Sequence, residues 1–366
     1  MHVSAKLGES MMRILQELLP RRLSHSLREA FLIRKATVRN ESFYCRALAG
    51  ESDYNISINS DMTVSCNCQD FDGLGRIGDL NLHSLEEIFS GSTACKFRSM
   101  LASKKFPTPI CARCADLKFM PAEEVNASLS RYRVPYRGIQ VENTAHCNLR
   151  CNMCNREKIL GLRSGKHSLS LSDVEKIARL LKEYGLEFIH YFNLGEPFLS
   201  PDIREQIQII RKYNPDIRIS TSTNGQLLYG NSKIEAALSM DYIGISLDGV
   251  TQDAVSKYQI GASFEKAYQN MAKLTSERNK NNRNTPIIEW TYVLFRWNDH
   301  PKHISKAIEL AKKAHVDLIG FYHGGGRLLD ISTRWHYHPY FKQLGKKTNG
   351  RILINLNNIP PHLLCP

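Results

Sequence analysis

The feature of this sequence that most limits its fold is a regular alternation of β-like and helical segments between residues 138 and 322. Short apolar runs alternate with longer stretches whose apolar residues recur at helical spacing. This alternation is typical of a parallel sheet or barrel, because a crossover helix returns the chain to the start of the next parallel strand. Six such units are present, and we predict an α/β domain built from them.

The six strands are predicted at residues 138–141, 188–192, 217–220, 242–247, 287–295 and 318–322. The first helix should begin at the capping box Ser172-Asp173-Val174-Glu175 and end at Gly185. Further helical segments are predicted at residues 203–212, 233–238, from 254 onward, 264–278 and 303–314.

Three cysteines follow the first predicted strand, in the segment His146-Cys147-Asn148-Leu149-Arg150-Cys151-Asn152-Met153-Cys154. Their C-x3-C-x2-C spacing can place three thiolates at three corners of a cubic 4Fe-4S cluster. Because no fourth thiolate lies beside them, one iron would stay open for another ligand. We therefore predict Cys147, Cys151 and Cys154 as cluster ligands.

Polar and glycine-containing segments follow the next three strands, at the rim where the catalytic groups of β/α barrels collect. They are Asn193-Leu194-Gly195-Glu196-Pro197, Ser222-Thr223-Asn224-Gly225 and Ile245-Ser246-Leu247-Asp248-Gly249. Together with the cysteine triad, these segments resemble the motifs of the radical S-adenosylmethionine (SAM) superfamily. The resemblance implies a partial (β/α)6 TIM-type barrel, which we expect over residues 126–330.

The same resemblance implies that SAM chelates the open iron and is cleaved reductively to a 5′-deoxyadenosyl radical. Gly195 and Glu196 match the positions that hold the methionine amino group. Asn224 and Ser246 match positions suited to hydrogen bonds with the ribose and carboxylate of SAM. Met153 stands where the family usually has an aromatic residue near the adenine.

The roles of the remaining polar residues at the rim stay open. Asp248 is either a further cofactor contact or a cap for the turn before Thr251. Arg296, which with Asn298 closes the fifth strand, is either a partner for a carboxylate or a solvated loop side chain. Histidines near strand ends are more often structural than catalytic, so no base is assigned among His190, His323, His336 and His338.

A second group of cysteines precedes the barrel. Cys66-Asn67-Cys68 is followed by Ile77-Gly78-Asp79-Leu80, the capping box Ser84-Leu85-Glu86-Glu87, Cys95, and Cys111-Ala112-Arg113-Cys114. This order resembles the SPASM auxiliary-cluster module, or its single-cluster relative the twitch domain, which usually follows the catalytic core and here precedes it. We predict a small cysteine-rich α+β module over residues 37–125 that holds an auxiliary 4Fe-4S cluster.

Cys111 and Cys114 are the firmest auxiliary ligands, since two-residue spacing lets both thiolates point at one metal. Cys66 or Cys68, together with Cys95 or Cys45, would complete the set. A structural zinc site and a site without metal remain as alternatives, because spacing alone does not separate a 4Fe-4S cluster from zinc.

Both ends of the chain are predicted to be accessory. Residues 1–36 have a helical pattern that Pro20 interrupts. Residues 331–366 are predicted to form a tail that closes the barrel, and Cys365 is either a ligand that folds back or a bystander. The glycine run at residues 324–326 has no phosphate-binding context.

The chain carries 49 Lys and Arg against 36 Asp and Glu, a formal net charge of +13. A solvated basic face is the simplest interpretation, and the charge leaves nucleic acid or an acidic substrate open as partners. No apolar run is long enough to span a membrane and no secretory signal is evident. We expect a cytoplasmic protein, in which reduced thiols bind metal rather than form disulfides.

These observations together predict a radical SAM oxidoreductase or a related radical-transfer enzyme. It would oxidise, cross-link or epimerise a peptide or sugar-type substrate, with electrons from an external reductant such as flavodoxin or ferredoxin. Two alternatives are radical-based RNA modification and a metal-binding nucleic-acid-binding protein without SAM turnover, which the basic charge favours.

Overall fold

A computed structural model describes residues 21–324, 330–348 and 350–363. Most of the predicted N-terminal helical pattern, part of the glycine run and Cys365 lie outside the described residues. Within them the chain forms two compact units. One comprises residues up to Ile58 with Met62–Ile139, and the other comprises Asn59–Asp61 with the residues from Gln140 onward.

The first unit combines short helices with short strands that pair antiparallel. Its helices are α1 (Arg21–Val38), α2 (Leu85–Ser90), α3 (Ser92–Ala102) and α4 (Ala122–Ser128), with a 3-10 turn at Pro109–Arg113. Strand β1 (Glu41–Cys45) pairs with β5 (Leu117–Pro121), while β2 (Ser57–Ile58), β3 (Thr63–Ser65) and β4 (Arg76–Asp79) pair in order. The unit is the small cysteine-rich α+β module that the sequence predicts.

The capping box at Ser84 is confirmed. The Ser84 hydroxyl accepts a hydrogen bond from Glu87 N at 3.2 Å, and Ser84 N donates to the Glu87 carboxylate at 2.8 Å. These bonds satisfy amide groups that the first turn of a helix leaves unpaired. They fix the start of α2, whose residues Leu85, Ile88 and Phe89 are buried.

The second unit is built on parallel strands that follow one another in chain order across the sheet. The strands are β6 (Gly138–Val141), β7 (Phe188–His190), β8 (Arg218–Thr223), β9 (Tyr242–Ser246), β10 (Ile287–Leu294) and β11 (Leu318–His323). Each pair from β7 to β11 is parallel. The predicted α/β fold with a partial (β/α)6 barrel is therefore confirmed.

Helices connect these strands and pack apolar faces on the sheet. They are α5 (Arg156–Leu160), α6 (Leu171–Glu183), α7 (Ile203–Tyr213), α8 (Asn231–Leu238), α9 (Gln252–Ser256), α10 (Phe264–Lys280) and α11 (Pro301–Lys313). On α6 the buried residues are Val174, Ile177, Ala178, Leu180 and Leu181, which form one stripe at helical spacing. Among the described helices, none is long and apolar enough to cross a lipid bilayer.

The C-terminal segment adds α12 (Arg334–Tyr337), α13 (Pro339–Leu344), β12 (Lys347–Thr348) and β13 (Arg351–Asn355). Strand β13 pairs antiparallel with β11 and continues the sheet past its last parallel strand. The apolar side chains of Leu353, Ile359 and Leu363 pack against a buried cluster made by Tyr242, Ile287 and Leu318.

The predicted start of α6 is wrong by two residues. The cap is Ser170, whose hydroxyl accepts from Asp173 N at 3.2 Å and whose N–H donates to the Asp173 carboxylate at 2.8 Å, so Ser172 lies inside the helix. Both serines stand three residues before an acidic residue, and the sequence pattern does not separate them. The predicted end is right, since α6 stops at Glu183 and Gly185 adopts a φ of 61°.

Candidate functional site

A cavity of about 340 Å³ lies in the second unit where the strands end. The three cysteines of the triad, Cys147, Cys151 and Cys154, line it. Residues at or after the ends of β7, β8 and β9 line it as well, and they include Gly195, Glu196, Asn224 and Ser246. The structure therefore brings together the residues that the strand-end motifs contribute from distant parts of the sequence.

The loop that carries the triad is held by the segment after α9. Arg150 N donates to Ile260 O at 3.0 Å and Asn152 N donates to Tyr258 O at 2.8 Å. The Asn152 side-chain amide donates to Lys257 O at 2.6 Å. Sequence reasoning missed this segment, because its contribution is made by backbone carbonyls that carry no residue-type signal.

The triad thiols lie in surroundings that favour their neutral form when no metal is present. Burial raises the pKa of Cys147 and raises that of Cys151 to about 12. Leu149 N donates to Cys147 Sγ at 3.4 Å, a contact that favours a thiolate. A bound metal would deprotonate such thiols, so metal binding at this site releases protons.

Gly195 and Glu196 join the loop after β7 to the start of the cysteine segment. A Cβ atom on Gly195 would lie 1.9 Å from Thr144 O, so only glycine allows the backbone to pass here. Glu196 N donates to His146 O at 2.8 Å. The Glu196 carboxylate is 2% exposed, and burial raises its pKa.

The Glu196 carboxylate accepts three hydrogen bonds from the chain. The donors are Phe198 N at 3.1 Å, Thr223 Oγ1 at 2.7 Å and Asn224 N at 2.8 Å. Glu196 therefore ties the loop after β7 to the loop after β8.

Asn224 connects this network to the triad. Its side-chain amide donates to Asn148 Oδ1 at 2.9 Å and lies 3.8 Å from Cys147 Sγ. The Ser246 hydroxyl lies 3.5 Å from that of Ser222, and both residues line the cavity.

Asp248 also lines the cavity and is 1% exposed. Burial raises the pKa of its carboxyl to about 7, although the carboxyl accepts a bond from Val293 N at 2.7 Å. Asp248 does not cap the turn before Thr251, because Thr251 caps α9 with its own hydroxyl, 3.2 Å from Ala254 N. Of the two interpretations of Asp248, the structure favours the one at the cavity wall.

Several other predicted positions lie away from the cavity wall. Among the described residues that line the cavity, neither Met153 nor Arg296 is found. Asn298 is fully buried and donates to Asp248 O and Val293 O, both at 2.9 Å, so it supports the loop after β10. His190 is hydrogen-bonded to Ser220 and is buried, as expected for a structural histidine.

In the first unit, four cysteines line one small cavity of about 20 Å³. They are Cys45, Cys66, Cys111 and Cys114. Burial raises the pKa of each of these thiols. Two side-chain amides point at Cys114 Sγ, from Asn67 at 3.5 Å and from Asn55 at 3.8 Å.

The other two predicted ligands of this module, Cys68 and Cys95, do not line that cavity. The Cys68 thiol donates to Asn55 Oδ1 at 3.3 Å. Cys95 lies on α3, where its thiol donates to Ser90 O at 3.2 Å. Across residues 21–324, 330–348 and 350–363, no group of three or more His, Cys, Asp or Glu side chains is arranged to bind a single metal ion.

Two sequence families match the chain. Residues 141–289 match the radical SAM superfamily, and residues 45–115 match SPASM, described as an iron-sulfur cluster-binding domain. The SPASM match precedes the radical SAM match, as predicted. Of the three alternatives for the N-terminal cysteines, the match supports an iron-sulfur cluster over zinc or no metal.

Curated relatives match over part of their length. A probable GTP 3′,8-cyclase of Pyrococcus abyssi is 30% identical over 137 residues, 37% of this chain and 42% of the relative. The GTP 3′,8-cyclase of Helicobacter pylori is 26% identical over 180 residues, 49% of this chain and 53% of the relative. The chain thus spans about half or less of these relatives.

Among solved structures, anSMEcpe with bound AdoMet and a Cp18Cys peptide is 18% identical and has a TM-score of 0.43. The similarity covers 57% of this chain and 59% of that protein.

Proposed function

We propose that this chain, which has a radical SAM domain behind an N-terminal SPASM domain, is an enzyme that cleaves SAM reductively and abstracts hydrogen from a substrate. One observation carries the proposal: Cys147, Cys151 and Cys154 line the same cavity as the strand-end residues of the second unit. We assign the radical chemistry to residues 126–330 and the auxiliary cluster to residues 37–125.

The donor set at this cavity fits a cluster with one open iron. Three cysteines line the wall, and the other described lining residues include no further thiol. Three thiolates can hold three corners of a 4Fe-4S cluster and leave the fourth iron facing the cavity. Bound there, the cluster and SAM supply the organic radical, while the protein supplies binding, orientation and electrostatics.

The chain's own residues would hold SAM in the following way. Three of the roughly four acceptor positions of the Glu196 carboxylate are filled by the chain, which leaves about one for the methionine ammonium group. The fixed loops then present the Asn224 amide and the Ser246 hydroxyl at the wall. Met153 is not among the residues that line the cavity, and its place near the adenine stays a prediction.

The cavity also offers positive charge to an anionic group. Arg150 and Arg156 both line it. Arg156 is 8% exposed and is paired with Glu157, which is largely exposed. A buried guanidinium of this kind can bind a carboxylate or a phosphate through two parallel hydrogen bonds.

For the auxiliary cluster we assign Cys45, Cys66, Cys111 and Cys114 as ligands, because these four line one cavity. Four thiolates would occupy every corner of a 4Fe-4S cluster and leave no open iron. Such a cluster can exchange electrons but offers no site for a substrate atom. Among the described residues of this module, Cys68 and Cys95 then remain as free thiols.

A peptide or a sugar-type molecule is the substrate class that we favour, with oxidation, cross-linking or epimerisation as the net reaction. The SPASM match supports this choice through the auxiliary cluster, which can take an electron from a substrate radical. A one-electron donor such as flavodoxin or ferredoxin would reduce the clusters, and the cytoplasm would keep the thiols reduced.

A purine nucleotide is the second candidate substrate. It is supported by the relatives named GTP 3′,8-cyclase and by the two guanidinium groups at the cavity. RNA modification and nucleic-acid binding without turnover are supported by basic charge alone, a net charge of +13. We therefore rank these two functions below radical chemistry on a peptide, a sugar-type molecule or a purine nucleotide.

Anaerobic reconstitution with iron and sulfide tests the proposal, followed by incubation with dithionite and SAM. We expect 5′-deoxyadenosine from the wild type and none from a Cys151→Ala variant. An iron-loaded wild type that releases no 5′-deoxyadenosine would contradict the proposal. Addition of GTP, or of a peptide mixture, then separates the candidate substrates by the mass of the product formed.

A further inference from the structure

The first unit buries a positive charge, the Arg98 guanidinium, that has no ion-pair partner among the described residues. Arg98 lies on α3 and is 8% exposed. Across the described residues it forms no ion pair, and its buried Nε atom has no hydrogen-bond partner. Burying an unpaired ion is costly, so a guanidinium in this position is expected to face an anion.

The groups that contact the Arg98 guanidinium are two backbone carbonyls, a cysteine sulfur and an aromatic ring. Its Nη2 atom donates to Phe89 O at 2.9 Å and to Cys95 Sγ at 3.3 Å, and its Nη1 atom donates to Leu48 O at 3.4 Å. The guanidinium lies 4.1 Å from the centre of the Tyr132 ring. Carbonyls and a ring face can solvate a cation in part, but they do not neutralise it.

The contacts of Arg98 lead to the four-cysteine cavity. Leu48, whose carbonyl accepts from Arg98, donates its own N–H to Cys45 Sγ at 3.4 Å. Arg98 and Cys45 also line a second small cavity together. Arg98 is therefore linked through Leu48 to one of the four cysteines that would hold an anionic cluster.

The acidic groups near these cysteines are engaged elsewhere. Asp116 accepts from Asn55 at 2.8 Å and is 3.4 Å from the Arg46 guanidinium. Asp70 accepts from Ser65 Oγ at 2.8 Å and from Gly75 N at 2.9 Å. The cysteine site thus has carboxylates among its neighbours, and Arg98 is a buried cation of the same unit that can offset the negative charge of a cluster.

We propose that Arg98 is the counter-charge of the auxiliary cluster and raises its reduction potential. This inference rests on the proposed function, because it requires a cluster on Cys45, Cys66, Cys111 and Cys114. Each electron that the cluster accepts adds one negative charge to a group that its thiolates already make anionic. A buried cation stabilises the more negative state more strongly, since its interaction is weakly screened. Arg98 thereby makes the cluster a better acceptor of an electron from the substrate.

The test uses the full chain with Cys147, Cys151 and Cys154 replaced by alanine, so that only the auxiliary cluster remains. Its midpoint potential is measured by anaerobic redox titration monitored by electron paramagnetic resonance. We expect Arg98→Gln to lower the potential, because the charge is lost while the amide can still donate to Leu48 O. Arg98→Lys, which keeps the charge, should stay near the parent value.

Lys96→Met is the matched control, because it removes a positive charge from the same helix at an exposed position. It should leave the potential unchanged, since solvent screens an exposed charge. An Arg98→Gln potential equal to that of the parent, or a Lys96→Met shift of the same size, would overturn the proposal.

Iron content separates the two levels of the argument. If the parent chain without the triad binds no iron, the assignment of an auxiliary cluster to the first unit is wrong. If Arg98→Gln empties the site while Arg98→Lys keeps both the iron and the parent potential, the charge is required at the cluster and the proposal stands; a changed potential in Arg98→Lys would overturn it. If both variants lose the iron, the side chain serves folding rather than charge balance, and the proposal fails.

Discussion

At the scale of single residues, Cys45 is the most informative position in the first unit. It lines the four-cysteine cavity, whereas Cys95 lies on α3 outside it. We predict that Cys45→Ala lowers bound iron by about four atoms per chain, one 4Fe-4S cluster. Cys95→Ala should keep the full amount. Iron and sulfide analysis after anaerobic reconstitution measures both variants, and loss of iron in Cys95→Ala alone would contradict the assignment.

Asp248 should give the chain a specific pH dependence. Its pKa is raised by burial to about 7, above the usual value of about 3.9 for an unfolded chain. Between these values the folded chain holds a proton that the unfolded chain has released. The free energy of unfolding therefore falls as pH rises through this window, by up to about 1.4 kcal/mol per pH unit, and levels off above pH 7.

An Asp248→Asn variant should lose this contribution, because an amide does not titrate. Urea denaturation of wild type and variant at pH 5.5, 6.5 and 7.5, under anaerobic conditions, measures the difference. The free energy of unfolding should fall more steeply with pH in the wild type than in the variant over this range. Equal slopes for the two proteins would show that Asp248 is ionised in the folded state.

The same residues show what the sequence can and cannot reveal about a site. The C-x3-C-x2-C spacing is local, so it identifies Cys147, Cys151 and Cys154 without knowledge of the fold. The choice of Cys45 over Cys95 depends on how β1 and α3 pack, because both cysteines are distant in sequence from Cys111. The sequence therefore left these alternatives open.

At the scale of elements, Gly195 tests whether the loop after β7 must pass close to the cysteine segment. We predict that Gly195→Ala weakens SAM binding by about tenfold or more, an effect of about 1.4 kcal/mol. The reason is that the added Cβ would lie 1.9 Å from Thr144 O and force the loop away. Equilibrium dialysis with labelled SAM on the reconstituted protein measures the affinity.

Gly161→Ala is the matched control for this change. A Cβ at Gly161 would meet its nearest neighbour, Lys158 O, at 3.8 Å, an ordinary contact. The Gly161→Ala variant should bind SAM with an affinity within about twofold of wild type, since surface substitutions of this kind usually change free energies by about 0.5 kcal/mol or less. Equal effects of the two substitutions would rule out the close approach as the cause.

The elements themselves were largely predictable because apolar periodicity reports which face of a segment is buried. All six strands of the barrel lie where the sequence places them, with ends that differ by a few residues. The start of α6 was misplaced because Ser170 and Ser172 both match a capping box. The support that Tyr258 and Ile260 give to the triad loop was not predictable, since it uses backbone carbonyls of a segment about a hundred residues away.

At the scale of the whole molecule, the two cysteine sites should have separable tasks. The triad lies in the second unit and the four-cysteine cavity lies in the first. We predict that Cys111→Ala keeps the formation of 5′-deoxyadenosine but loses the oxidised product of the substrate. The reason is that SAM cleavage needs the triad alone, whereas oxidation needs a second electron acceptor.

The comparison requires protein of known metal content. Cys111→Ala should bind about four iron atoms per chain, against about eight in the wild type, and its 5′-deoxyadenosine should form within about twofold of the wild-type rate. Cys68→Ala is the matched control, because Cys68 is a cysteine of the same module that lies outside the cavity. The Cys68→Ala variant should keep about eight iron atoms per chain, to within one. It should also form the wild-type amount of oxidised product.

Liquid chromatography with mass detection follows 5′-deoxyadenosine and product in the same sample. If Cys111→Ala binds four irons and still forms the oxidised product at the wild-type ratio to 5′-deoxyadenosine, the auxiliary cluster is not the electron acceptor. If it also loses SAM cleavage while the triad cluster is intact by electron paramagnetic resonance, the two sites are coupled. Retained cleavage with lost product is the outcome that follows from a cluster whose four corners are all held by thiolates, because such a cluster can take an electron but cannot bind SAM.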